Sequence, residues 1–267
     1  MAWHHWQDLS GPELAELADD SALAVLPIAA IEQHGPHLPL STDVTIGEGL
    51  LAGALEHMDT ASAPVLVLPT MAIAASPEHS SFAGTLSLDA ETAIAVIESI
   101  GASLAAAGIR RLLLFNSHGG NKAVLDIVAL KLRAAHAMLV VKANYFRFSA
   151  PPAILAADEL AHGLHGGALE TSLMLHFAPD SVRRDQLADF KPIGAHRAAA
   201  GATLLPEGDA GFAWMAEDLH PQGVAGDTRL ASAERGATLA THFSVRLAAI
   251  IDETLAFDLD TLGHRNP

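Results

Sequence analysis

Four continuous apolar runs, each about as long as a β-strand, constrain the fold more than any other feature of this sequence. They lie at 21–31 (SALAVLPIAAI), 64–69 (PVLVLP), 111–115 and 138–141. Apolar runs that are not interrupted by polar residues are typical of parallel strands buried on both faces of a sheet. Helical patterns lie between and after them, at 89–107, 121–136, 168–177 and 232–257. Strands that alternate with helices predict an α/β fold with a mostly parallel sheet.

The composition favours a folded chain that avoids nucleic acid and membranes. The 267 residues are 50% hydrophobic and carry a net charge of −16, which supports a compact core and would repel a phosphate backbone. No signal peptide or bilayer-spanning run is apparent, so we expect a cytoplasmic protein. Without repeats or a linker, residues 1–267 are predicted to form a single domain. The irregular stretch 178–228 is predicted to be a long loop over the active face.

Polar clusters follow the predicted strands at the points where ligands collect in parallel sheets. Glu32 and His34 follow the first run and lie two residues apart, which directs both side chains to one side of an extended segment. His118 follows the third run, and His165 directly precedes a predicted helix that carries Glu170 in its first turns. The chain has 15 histidines and no cysteine. This set of oxygen and nitrogen ligands is typical of hydrolases that use Zn²⁺, Mn²⁺ or Fe²⁺.

Each of these residues also has a plainer interpretation. A single histidine at a strand end is more often a hydrogen-bonded structural residue, and Glu170 alone would be a solvated helix carboxylate. The paired glycines Gly119 and Gly120 form a turn more often than an anion site. Two alternatives therefore stay open: an α/β domain without metal, and a metal-binding or small-molecule-binding protein without turnover.

The motifs, taken together and in order, resemble those of the creatininase family of metal-dependent amidohydrolases. The matching segments are 31–43 (IEQHGPHLPLSTD), 76–88 (SPEHSSFAGTLSL), 116–121 (NSHGGN), 165–172 (HGGALETS), 223–227 (GVAGD) and 234–236 (ERG). The resemblance implies a three-layer α/β/α domain with a dinuclear metal centre, and a homo-oligomer, often a hexamer.

The resemblance also implies a role for individual residues. Glu32 and His118 would bind one metal, His34 would bind the other, and Asp43 would bridge the two. Creatininase itself has a further carboxylate ligand at the position of Gly120, and we assign that function to Glu170 instead. Residues that would contact substrate or support the ligands are Glu78, His79, Gly119, Gly120 and Asn121, with Gln33, Asn116 and Thr171 as further hydrogen-bonding partners.

The reaction implied is hydrolysis of a non-peptide or cyclic C–N amide bond in a small molecule. Two cations would lower the pKa of a bridging water and polarise the scissile carbonyl, and His165 would protonate the departing nitrogen. Creatinine is not the expected substrate, because residues 144–165 contain none of the tryptophans that surround it in creatininase. A peptidase or a deformylase of the same family is the alternative.

Overall fold

A five-stranded parallel sheet forms the centre of the molecule. The structure is a computed structural model that describes residues 3–58 and 63–263. The strands of the sheet are Trp3–His5 (β1), Leu23–Ile28 (β2), Val65–Val67 (β3), Arg111–Asn116 (β4) and Leu139–Asn144 (β5). They lie in the order β1, β3, β2, β4, β5, with every neighbouring pair parallel. Each of the four predicted runs overlaps a strand of this sheet, although β4 and β5 extend beyond their runs by one and three residues, and β1 was not predicted.

Helices cover both faces of the sheet. They are Gly11–Leu17 (α1), Thr42–His57 (α2), Ala90–Ala106 (α3), Lys122–His136 (α4), Ala157–His162 (α5), Ala168–Phe177 (α6), Ile193–Ala199 (α7), Ala216–Leu219 (α8) and Ala233–Ala256 (α9). Leu23 and Val25 of β2 belong to one apolar cluster with α2, α6 and α9. Ala24 and Leu26 belong to another with α3 and α4. This alternation produces three layers, and it confirms the predicted α/β/α fold.

The four predicted helices are present, within one residue of their predicted ends. Asp89 and Ser232, which were placed at the starts of two of them, cap those helices instead. The Asp89 side chain accepts a hydrogen bond from the Thr92 N–H, and the Ser232 hydroxyl accepts one from the Arg235 N–H. Such caps satisfy backbone donors that have no partner inside the helix.

The segment 178–228 is only partly irregular. It contains α7, α8 and four two-residue strands, Asp189–Phe190 (β6), Leu204–Leu205 (β7), Ala210–Gly211 (β8) and Gly226–Asp227 (β9). Near its end, the backbone of Ala225 forms an antiparallel bridge with His165. The predicted long loop is therefore broken into short elements, and its end lies against a predicted site residue. Among the described residues, no helix has both the length and the apolar character needed to cross a bilayer.

Candidate metal centre

The site lies at the carboxyl edge of the sheet, where the loops after four neighbouring strands converge. The loop after β2 carries Glu32 and His34, and α2 then begins with Asp43 in its first turn. His118 follows β4, the neighbour of β2. Glu170 lies in the first turn of α6. Parallel strand order thus brings together residues that are far apart in sequence, as was expected from the positions of the motifs.

Two groups of three ligand-type side chains share Asp43. The first group is Glu32, Asp43 and His118, and the second is His34, Asp43 and Glu170. His118 Nδ1 lies 3.2 Å from both Glu32 Oε2 and Asp43 Oδ2. His34 Nε2 lies 3.3 Å from Asp43 Oδ1 and 3.9 Å from Glu170 Oε2. One carboxylate oxygen of Asp43 therefore faces each group.

Each of the two histidines has an inner nitrogen that faces the carboxylates, His34 Nε2 or His118 Nδ1, and an outer nitrogen on the opposite side of the ring. The contact of the outer nitrogen determines whether the inner nitrogen carries a hydrogen. His34 Nδ1 lies 3.2 Å from the Glu32 carbonyl oxygen, and His118 Nε2 lies 3.1 Å from the Ala75 carbonyl oxygen. A carbonyl oxygen only accepts, so each outer nitrogen carries a hydrogen. In a neutral ring the inner nitrogen then presents a lone pair to carboxylates, which is unfavourable unless a cation lies between them.

Several buried polar atoms that have no hydrogen-bond partner also indicate a cation between the histidines and the carboxylates. Glu32 Oε1, His34 Nε2 and Asp43 Oδ2 are all buried and have no hydrogen-bond partner within the described part of the chain. Buried polar atoms in native proteins are nearly always paired. The donor set and these three unpaired atoms fit a divalent cation.

Without a cation, protons would have to compensate the buried charge. Burial alone would lower the pKa of His34, but Asp43 and Glu32 outweigh burial and raise it to about 9. Burial likewise opposes the charged form of His118, yet Glu32 and Asp43 raise its pKa well above the ordinary value. Burial would raise the pKa of Asp43, but the charges of His34 and His118 lower it. The buried carboxylates of the site therefore favour the uptake of positive charge.

His165 lies beside both groups. Its Nε2 lies 2.8 Å from the Gln33 carbonyl oxygen, so Nε2 carries the hydrogen and Nδ1 is left 3.6 Å from Glu32 Oε1. The ring lies 4.2 Å from the His34 ring, centroid to centroid. Burial and the neighbouring His34 lower the pKa of His165. A neutral imidazole whose free nitrogen faces the centre is suited to accept and return a proton.

His79, unlike His165, directs the ring nitrogen that carries the hydrogen toward Glu32. Gly35 N–H donates to Gln33 Oε1, which fixes the amide so that Gln33 Nε2 donates to His79 Nδ1 at 2.8 Å. His79 Nε2 therefore carries the hydrogen, 3.5 Å from Glu32 Oε1. A ring nitrogen that carries a hydrogen cannot bind a metal, so His79 directs an N–H toward Glu32 Oε1 without forming a hydrogen bond to it. His79 thus lies beside Glu32 and not among the candidate ligands, and its two predicted roles, contact with substrate and support of the ligands, stay predictions.

The remaining predicted residues lie mainly in the supporting network. Asn121 donates to Asn116 Oδ1 and to the Ala29 carbonyl, and accepts from Ala75 N–H. The Asn116 side chain in turn donates to the His118 carbonyl oxygen and accepts from the His118 N–H. Gly119 is exposed, with open space where a side chain would be.

Three supporting residues had no predicted role. Ser76 Oγ donates to Glu32 Oε2 at 2.5 Å, and Tyr145 OH donates to Glu170 Oε1 at 3.1 Å. His37 Nε2 lies 3.0 Å from the Gly166 carbonyl oxygen and 2.9 Å from Thr171 Oγ1. Ser76 and His37 lie inside the motifs 76–88 and 31–43, so their place in those motifs could have indicated a role at the site. Tyr145 had no signal beyond its place directly after a strand.

The chain is similar to known proteins over most of its length. The family model described as creatininase, creatinine amidohydrolase, matches residues 7–251. The mycofactocin precursor peptide peptidase of Mycobacterium tuberculosis (strain CDC 1551 / Oshkosh) is 30% identical over 251 residues, covering 92% of this chain and 88% of the peptidase. The creatinine amidohydrolase of Pseudomonas putida is 32% identical over 189 residues, covering 67% of this chain and 73% of that enzyme.

Solved structures of creatininase have the same fold. A manganese form superposes with a TM-score of 0.72 at 28% identity, covering 94% of this chain and 98% of that one. A zinc–zinc form of a mutant gives a TM-score of 0.71, also at 28% identity and with the same coverage. Since the family model spans nearly the whole described chain and the fold and motifs agree with it, this chain belongs to the creatininase family of amidohydrolases.

Proposed function

We propose that the site binds two divalent cations, Zn²⁺, Mn²⁺ or Fe²⁺, one in each group around Asp43. The observation that carries this proposal is the orientation of His34 and His118. Each anchors its outer nitrogen on a backbone carbonyl and turns its inner nitrogen toward buried carboxylates. Glu32 and His118 would hold one ion, His34 and Glu170 the other, and Asp43 both. The manganese and zinc forms of the related creatininase support the choice of metals.

We infer that the reaction is hydrolysis of a C–N amide bond. Bound cations of this kind supply an activated water at neutral pH and polarise the carbonyl under attack. The chain's own contribution is proton transfer by His165. Because the Gln33 carbonyl holds its Nε2–H, Nδ1 is the atom that takes up a proton and returns it to the departing nitrogen. Burial lowers the pKa of His165, which favours a proton-free Nδ1 before the reaction.

The substrate we propose is a small molecule with a non-peptide or cyclic amide. Residues 144–165 contain no tryptophan, so a creatinine-like ring would lack tryptophan partners there. A second candidate is a short peptide, because the peptidase relative aligns with 92% of this chain and the creatinine amidohydrolase with 67%.

A substrate panel separates these possibilities. Protein purified without a histidine tag would be assayed on cyclic amides, formamides and short peptides, before and after chelation and after return of Mn²⁺ or Zn²⁺. We expect turnover of at least one class, lost on chelation and restored by metal. His165→Ala is the negative control for turnover. A protein that binds two metals yet turns over nothing in the panel would favour the binding-protein alternative.

A further inference from the structure

Glu78 lies on the outer side of His118, away from the other carboxylates. Its Oε1 lies 3.4 Å from His118 Nε2, whereas Glu32 and Asp43 face His118 Nδ1. The side chain of Glu78 is only 15% exposed. A mostly buried carboxylate at this place needs a positive or hydrogen-donating partner, and Glu78 faces the Nε2–H of His118, which it shares with the Ala75 carbonyl oxygen at 3.1 Å.

The missing side chain of Gly120 makes room for this carboxylate. A Cβ on Gly120 would lie 2.2 Å from Glu78 Oε1 and 2.5 Å from His118 Nε2. Both distances are far below a normal van der Waals contact, so a larger residue at 120 would displace Glu78, His118 or both. The glycine and the carboxylate thus form a matched pair around one histidine.

We propose that Glu78 is the positioning residue of His118 and that Gly120 is required to admit it. This inference rests on the proposed metal centre. An ionised carboxylate accepts and never donates, so Glu78 would reinforce the Ala75 carbonyl in keeping the hydrogen on Nε2 and the lone pair on Nδ1, facing the cation. It would also make the imidazole a stronger ligand. Among the described residues, Glu78 belongs to none of the groups of three ligand-type side chains whose atoms lie within 4.8 Å of one another. This placement agrees with a supporting role.

The test is a Co²⁺ titration of metal-free protein, followed by the visible absorption of the bound ion. Glu78→Gln keeps the size of the side chain but removes its charge. Glu217→Gln is the control. The Glu217 carboxylate is exposed and accepts a hydrogen bond from Ser81, which lies three residues after Glu78. Thermal unfolding of the metal-free variants checks that both fold. We expect wild type and Glu217→Gln to bind two ions with the same spectrum and affinity.

For Glu78→Gln we expect both sites to fill at saturation, one of them with affinity lower by about 10–100-fold and with an altered spectrum. Unchanged affinity and spectrum would overturn the proposal. So would complete loss of one ion at saturating Co²⁺, because Glu78 would then be a ligand itself. If wild type binds no Co²⁺, the proposed metal centre fails, and this outcome is distinct from both.

Discussion

Asp43 is the residue on which the proposed centre depends most. It is buried, and its two oxygens face different histidines at 3.3 and 3.2 Å. We expect Asp43→Ala to lose both metals and to lower kcat/KM by a thousandfold or more, on the order of the several kcal/mol that metals supply. Elemental analysis measures the metal. Asp180→Ala, which removes an exposed carboxylate, is the control. Full metal content in Asp43→Ala would rule out the shared ligand.

His165 is expected to act on protons and not to hold metal. His165→Ala should keep both ions while kcat falls by about 10²–10⁴-fold, the usual contribution of a general acid or base. His196→Ala, an exposed histidine on α7, should change neither. His165, Glu32 and His34 are themselves close enough to bind one ion. Loss of a metal from His165→Ala would therefore make it a ligand and contradict its assigned role.

Sequence reasoning named residues that the structure brings together at the proposed centre, but not all of the residues that contact them. Glu32, His34 and His118 were recognisable because polar residues at strand ends have a known meaning in parallel sheets. Tyr145, by contrast, supports Glu170 only because β5 lies beside β4. The roles of the two ring nitrogens of His79 were equally out of reach, since they depend on the Gln33 amide in another loop.

At the scale of elements, glycine explains why α2 was not predicted. The helix contains Gly47, Gly49 and Gly53, and glycine disfavours helix by about 1 kcal/mol per residue. Tertiary packing reverses this preference. A Cβ on Gly47 would lie 2.9 Å from Ser117 Oγ, and one on Gly53 would lie 2.5 Å from Ser244 Oγ. The missing side chains let α2 approach the loop after β4 and helix α9.

Gly236 shows the same effect where α9 crosses α6. A Cβ there would lie 1.9 Å from the Ser172 carbonyl oxygen. Helix propensity favours Gly236→Ala, but we expect overpacking to dominate and to destabilise the protein by about 1–3 kcal/mol. Urea unfolding measures the change. Gly11→Ala, with open space at the Cβ position, is the control and should be neutral or slightly stabilising. A stabilised Gly236→Ala would show that the two helices are not in close contact.

At the scale of the whole molecule, the site is a product of topology. Loops after β2, β3, β4 and β5 meet only because these strands are neighbours in the sheet. The sequence predicted the parallel strands and the edge at which ligands collect. It did not predict the strand order, because order depends on which nonlocal contacts form. The single domain and the hexamer also stay predictions, and light scattering of the purified protein tests the oligomer.

Metal should stabilise the whole fold, since the cations would bind only the assembled site. At 100 times the dissociation constant each site adds about 2.7 kcal/mol, so chelation should lower Tm by on the order of 10 °C. Scanning calorimetry with and without chelator measures this. Asp43→Ala should melt at the same temperature in both conditions. A wild type with an unchanged Tm would mean that no metal is held by the native state.

The most direct measurement is anomalous diffraction at the metal absorption edge from crystals of the metal-loaded protein. Two peaks are predicted. One should lie among Glu32, Asp43 and His118, and the other among His34, Asp43 and Glu170, with Asp43 contacting both. The absence of peaks, or a single peak among Glu32, His34 and His165, would contradict the shared dinuclear centre.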